Sequence, residues 1–158
     1  MTRVMFVCLG NICRSPMAEG LLLHKLDQRG LSDAFRVESS GTGGWHAGEP
    51  PDPRTLAELR RHGIGLDSRA QQLKAHHEAD FDWFLCMDSD NLHNARAILG
   101  DSAKHKLHLT LAPTSGGSVP DPYYGGVDGF GTVYRMLDES LDAWLDRWTA
   151  GQGFEPNG

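Results

Sequence analysis

The chain has 158 residues, the size of one ordinary domain, and a hydrophobic share of 39% suffices for a single packed core. A formal net charge of −6 argues against broad nucleic-acid binding, so an anion must be drawn in by local positive potential. No apolar run reaches the about 18 residues of a membrane span, and the apolar stretch 1–7 is too short, with no cleavage signal after it, for a signal peptide. The expectation is a cytoplasmic protein, although leaderless secretion leaves no mark in a sequence. The cysteines Cys8, Cys13 and Cys86 cannot all pair, and with no export signal they read as reactive or buried thiols.

Residues 3–8 form an apolar run suited to a first strand. Ser15 is a good N-cap and Pro16 fits a first helical position, so a helix is expected from about 16 to 29, with Ala18, Leu21, Leu22 and Leu26 on one face and Gly30 ending it. A second strand follows at 35–39 and a Gly/Pro-rich loop at 41–51. Asp52-Pro53 then caps and starts a helix reaching about 62. Residues 81–87 read as a third strand, 89–99 as a helix, 106–111 as a fourth strand and 112–126 as loop. A last helix runs from about 129 to 148, with Val133, Leu137, Leu141, Trp144 and Trp148 on one face. Such alternation predicts an α/β domain, a parallel sheet with helices on both faces and ligands beyond the carboxyl ends of its strands. One domain over residues 1–150 and a flexible tail at 151–158 are expected.

The chemistry concentrates in Val7-Cys8-Leu9-Gly10-Asn11-Ile12-Cys13-Arg14-Ser15-Pro16, where a strand ends at a cysteine and an arginine precedes a helix. The backbone N–H groups of a tight loop that opens a helix converge on an anion. Gly10 permits unusual backbone geometry, and Arg14 can fork onto two phosphate oxygens. Among these donors Cys8 would be held as thiolate, well below the free value of about 8.5, and so becomes a nucleophile aimed at phosphorus. The plainer reading of Cys8 is a core cysteine, but that does not explain the whole string. Ser15 can cap the helix, hydrogen-bond the Cys8 sulfur, or do both.

That string resembles the phosphate loop of the low-molecular-weight protein tyrosine phosphatases, and the chain resembles the short bacterial members of that family from Val4 to about Trp148. The resemblance implies a single-domain, doubly wound, four-stranded parallel sheet and hydrolysis of aryl phosphate monoesters through a cysteinyl phosphate. It implies no metal and no cofactor. The phosphate would be bound by Leu9, Gly10, Asn11, Ile12, Cys13, Arg14 and Ser15, with Cys8 as nucleophile.

A phosphatase needs a proton donor for the leaving phenolate. Asp121-Pro122-Tyr123-Tyr124 resembles the family's general-acid loop, although Asp-Pro by itself suits a turn. By the same resemblance Tyr123, Tyr124 and Trp45 would be aromatic walls, Trp45 alternatively a surface anchor. Leu9 and Ile12 would line the pocket from below or simply pack the core. Asn11, Ser39 and His62 match positions that hold the loop by hydrogen bonds, while His62 could equally be an ordinary helix-end residue. Cys13 matches a neighbour that can form a reversible disulfide with the nucleophile, or is a buried thiol. Cys86 reads as core, and His76-His77 as solvated helix surface. A thiolate lower limit and a protonated Asp121 upper limit predict a bell-shaped pH profile on the acid side of neutral.

Two relatives on the same fold compete. An arsenate reductase would need two further relay cysteines, and Cys86 stands alone in a strand. Protein-arginine phosphatases tend to carry Thr where this chain has Ile12, and Phe where it has Tyr123. A phosphoprotein-binding module without turnover leaves the pairing of Cys8 with Asp121 unexplained. The resemblance implies phosphotyrosine proteins as partners, a tyrosine autokinase among them, and phosphate as product or inhibitor.

Overall fold

In the computed structural model, which describes residues 1–123, 125 and 127–150, the chain alternates strand and helix. Strand β1 (Thr2–Cys8) is followed by α1 (Arg14–Gln28), β2 (Phe35–Gly41), α2 (Pro53–Arg61) and a short α3 (His77–Asp80). Then come β3 (Trp83–Cys86), α4 (Ser89–Leu99), β4 (Leu107–Leu109) and α5 (Val127–Trp148). All strand pairs are parallel, in the order β2-β1-β3-β4.

β1 lies inside the sheet, and its sequence shows why. Val4, Met5, Phe6 and Val7 are all fully buried, which suits a strand covered on both faces. Val4, Phe6 and Cys8 point into the core under α1 and α5, with Leu21, Leu22, Leu137 and Trp144. Met5 and Val7 point the other way, to Phe84 and to Ala95 of α4. The expected apolar stripes on α1 and α5 are buried as read: Val133, Leu137, Leu141, Trp144 and Trp148 are fully enclosed. α5 is also tied to the end of β4, because the Thr110 carbonyl accepts from both Ser140 Oγ (2.6 Å) and Trp144 Nε1 (2.8 Å).

The strand order positions the site. β2 flanks β1 on one side and β3 on the other, so the chain reverses its winding at β1. In a doubly wound sheet this opens a crevice beyond the carboxyl ends of the strands on either side of the reversal. The segment after Cys8 and the segment after Cys86 both arrive there.

Boundaries differ where tertiary contacts override local propensity. α1 starts at Arg14 and its N-cap is Cys13, whose side chain makes no capping bond. Ser15 is therefore inside the first turn, and its hydroxyl is used elsewhere. β2 extends to Gly41, in register with Cys8. Asp52 caps α2 as read, accepting from Arg54 N at 2.8 Å. His76 is exposed, but His77 is buried and its Nδ1 accepts from Lys74 N at 2.9 Å. No helix among the described residues is long and apolar enough to cross a membrane. The expected tail, 151–158, lies outside the described residues.

Candidate active site

The loop after β1 is held by its carbonyls. Thr42 N donates to Cys8 O and Gly43 N to Leu9 O, both at 2.9 Å. Asp52 N donates to Ile12 O at 2.8 Å, and Thr55 Oγ1 to Cys13 O at 3.2 Å. With its carbonyls pinned from outside, the loop has the arrangement that suits an anion nest, in which N–H groups serve the bound anion. Gly41 makes this close approach possible: a Cβ there would sit 2.7 Å from Leu9 O and 3.0 Å from Asn11 N.

Asn11 sits at φ 58°, a left-handed conformation that asparagine tolerates better than most residues. Its side chain is fastened on three sides. Oδ1 accepts from Gln71 N at 2.9 Å, and Nδ2 donates to Ser15 Oγ and to Ser39 Oγ, each at 2.8 Å. Its backbone N donates to Cys8 Sγ at 3.2 Å, and Ser15 Oγ lies 2.9 Å from the same sulfur. Ser15 is thus a partner of the thiol and not the helix cap.

Arg14 is nearly enclosed, with 3% of its side chain exposed. Nη1 donates to Asp88 Oδ2 at 2.7 Å and to Val119 O at 3.0 Å. Nη2 lies 3.7 Å from Asp121 Oδ2. Asp88 comes from the end of β3, where its other oxygen caps α4 by accepting from Asn91 N at 2.7 Å. Asp121 is half-exposed, and its Oδ1 accepts from Tyr123 N at 3.0 Å. The turn reading and the acid reading of Asp121 therefore describe one geometry: one oxygen shapes the turn and the other faces Arg14.

These groups surround a cavity of about 350 Å³. Cys8 and Arg14 are its most buried lining residues, and Leu9, Ile12, Trp45 and Tyr123 form apolar walls. Arg54, gripped by Asp52 at 2.9 Å, lies over the Tyr123 ring at 5.5 Å and the Phe130 ring at 4.7 Å, which supports the Tyr123 side. Cys13 is buried in the same loop, and burial together with the nearby Asp52 pushes its thiol up to about 12. Burial likewise pushes Cys86 upward. No group of three or more His, Cys, Asp or Glu among the described residues could hold a metal ion.

Residues 3–152 match the model of the low molecular weight phosphotyrosine protein phosphatases. The chain belongs to that family. This phosphatase is 43% identical over 149 residues to a low molecular weight protein-tyrosine-phosphatase of Streptomyces coelicolor, covering 90% of this chain and 91% of the relative. A solved protein tyrosine phosphatase of Entamoeba histolytica superposes with a TM-score of 0.89 at 29% identity, covering 93% of this chain and 96% of that one. A Drosophila arginine phosphatase superposes with a TM-score of 0.86 at 32% identity, covering 96% and 100%. The doubly wound sheet that the sequence resemblance implied is the fold this phosphatase has.

The phosphatase brings together Cys8, Arg14, Asp121, Asn11, Ser15, Ser39, Leu9, Ile12, Trp45 and Tyr123, all expected at the site. One open alternative is decided and one expectation needs correcting. Of the two readings of His62, the structure agrees with the helix-end one: it follows α2, bonds Glu58 Oε2 at 2.9 Å and stacks on Tyr134 at 3.7 Å, so it ties α2 to α5. Leu9 is 44% exposed and forms a rim, not a floor, because its carbonyl is drawn back to Gly43. Tyr124 lies outside the described residues. Sequence reading missed Asp88, Gln71, Glu19 and the cavity-lining His46. Of these, only Asp88 carried a signal, a carboxylate just past the end of a central strand.

Proposed function

We propose that this phosphatase hydrolyses phosphotyrosine in protein substrates in two steps on Cys8. The observation that supports it most is Cys8 Sγ at the base of an aryl-sized cavity, bonded by Asn11 N and Ser15 Oγ, with the Arg14–Asp121 pair lining the same cavity. The Cys8 thiolate attacks phosphorus in line, the P–O bond to the phenol breaks, and Asp121 gives its proton to the leaving oxygen. Arg14 and the loop N–H groups stabilise the charge on the equatorial oxygens. Asp121, now ionised, takes a proton from water, whose oxygen displaces the thiolate and releases phosphate. Ser15 Oγ hydrogen-bonds the sulfur in both steps, which favours its anionic form as nucleophile and as leaving group.

The walls favour an aryl group over a guanidine. Ile12 offers only hydrocarbon to the group beyond the phosphorus, and Tyr123 and Trp45 offer ring faces. In the cell, a tyrosine autokinase is the proposed protein substrate and inorganic phosphate the competing product. The domain is proposed to span residues 1–150. Cys13 is the proposed resolving thiol: peroxide oxidises the Cys8 thiolate to a sulfenic acid, which condenses with the Cys13 thiol to a disulfide with loss of water.

Hydrolysis of phosphotyrosine, phosphoserine and phosphoarginine peptides, compared for wild type and Cys8→Ser, tests this reading. Phosphotyrosine turnover that Cys8→Ser abolishes is expected. Faster phosphoarginine turnover would move the substrate assignment to that class, and turnover surviving in Cys8→Ser would remove the covalent route.

A further inference from the structure

Glu19 has no part in the mechanism above, yet it is 9% exposed and belongs to no ion pair among the described residues. It stands one turn after Ser15 on α1, so the two share a face. Its Oε1 lies 2.5 Å from Ser39 Oγ of β2. The charged group acting on it is Glu38 of β2, which opposes its ionisation and is itself held by Arg36 and Gln71 Nε2. A buried carboxyl without a cation costs stability, so its presence points to another use.

Gln71 N–H can only donate, so Asn11 Oδ1 must be the acceptor and the amide orientation is fixed. Asn11 Nδ2 then gives its two hydrogens to Ser15 Oγ and Ser39 Oγ. Each hydroxyl has received one bond and keeps its own proton to give. That of Ser39 goes to Glu19. That of Ser15 goes to Cys8 Sγ at 2.9 Å, its other acceptor, Ser40 O, being 3.5 Å away.

We infer that Glu19 is a positioning residue for the phosphatase reaction: by accepting the Ser39 proton it holds Ser39 Oγ in place as an acceptor for Asn11 Nδ2, and so steadies the amide that also donates to Ser15, whose own proton faces the nucleophilic sulfur, in the hydrogen-bond chain Glu19–Ser39–Asn11–Ser15–Cys8. The chain also anchors Asn11 at its left-handed φ, and with it the N–H that meets Cys8. This inference rests on Cys8 being the nucleophile. Reach and acceptor chemistry matter here, not charge alone. Burial pushes Glu19 up to about 7, and its oxygen can accept from Ser39 in either protonation state.

The test compares Glu19→Gln, which keeps an acceptor at the same reach, with Glu19→Asp, which keeps the carboxyl but draws it back by one methylene. Two readouts apply: kcat and KM on an aryl phosphate, and the rate at which iodoacetamide alkylates Cys8 at fixed pH. The second needs no turnover, so it judges Glu19 even if no ester is hydrolysed. Glu19→Gln is expected to stay within about threefold of wild type in kcat and in alkylation. Glu19→Asp should lose about tenfold in both, with KM little changed, the scale of one hydrogen bond. In a Ser39→Ala background Glu19→Asp should cost nothing further, since the chain is already cut. An inactive Glu19→Gln, a fully active Glu19→Asp, or additive losses with Ser39→Ala would overturn the inference.

Discussion

Asp88 Oδ2 lies 2.7 Å from Arg14 Nη1, and the same carboxylate caps α4 through Asn91 N. Arg14 is thus aimed by a residue 74 positions away, just past the end of the neighbouring strand β3. One guanidinium nitrogen is committed to Asp88 and Val119, which leaves the rest of the fork toward the cavity.

Asp88→Asn should separate the two tasks of that side chain. Asparagine caps helices about as well as aspartate, so stability should change by only a few tenths of a kcal/mol. The charge-assisted bond to Arg14 is lost, about 1.5–3 kcal/mol, so kcat/KM should fall roughly 10- to 100-fold. Kinetics beside thermal unfolding read both effects, and an unchanged kcat/KM would show that Arg14 aims itself.

Glu19 predicts the sign of a pH effect on stability. Its folded value is raised, by burial first, from 4.5 to about 7, so the folded state binds the proton more tightly than the unfolded one. Stability from this group is full below about 4.5 and falls as pH rises toward 7, by up to about 3 kcal/mol. Urea unfolding at several pH values should show that decline in wild type and a flatter profile in Glu19→Gln. Parallel profiles for the two proteins would refute it.

Gly41→Ala should damage the loop without touching a reacting group. The added methyl meets backbone at Leu9 O and Asn11 N, which cannot yield as a side chain can. A cost of about 1–3 kcal/mol in stability is expected. Loss of phosphate competition should accompany it, because the N–H groups are displaced. Phosphate inhibition constants measure this directly, and a value equal to wild type would show the loop tolerates the shift.

Cys13 and Cys86 should stay thiols through neutral pH, since burial pushes both upward. Iodoacetamide at pH 7 should therefore modify Cys8 first, and saturating phosphate should protect it. After peroxide, mass spectrometry should find Cys8 joined to Cys13 in wild type, and over-oxidised Cys8 in Cys13→Ser. Reversible inactivation of Cys13→Ser would end the resolving role.

Much of the fold was legible because its signals are local. The apolar run before Cys8 and the stripes of α1 and α5 ended up buried as their spacing required. The short α3 and the start of α1 were not legible. Residue propensity suggested a Ser15 cap, but Ser15 gains more from Cys8 Sγ and Asn11 Nδ2 than from a helix end. His62 stayed open between two readings for a related reason: a histidine at the end of α2 looks the same in sequence whether it faces the loop or, as here, Tyr134.

By itself the sequence determined the short loop that joins Cys8 to Arg14, the proposed nucleophile and its arginine, because these residues and the amides between them lie within a single turn of chain and need only a strand before and a helix after. Tertiary structure alone decided which carboxylate grips Arg14, which hydroxyl faces the sulfur and what braces Asn11. Those partners, Asp88, Ser39 and Gln71, come from separate segments. They meet only because β2 and β3 flank β1 and their carboxyl ends converge on one crevice, an arrangement set by burial of the whole sheet.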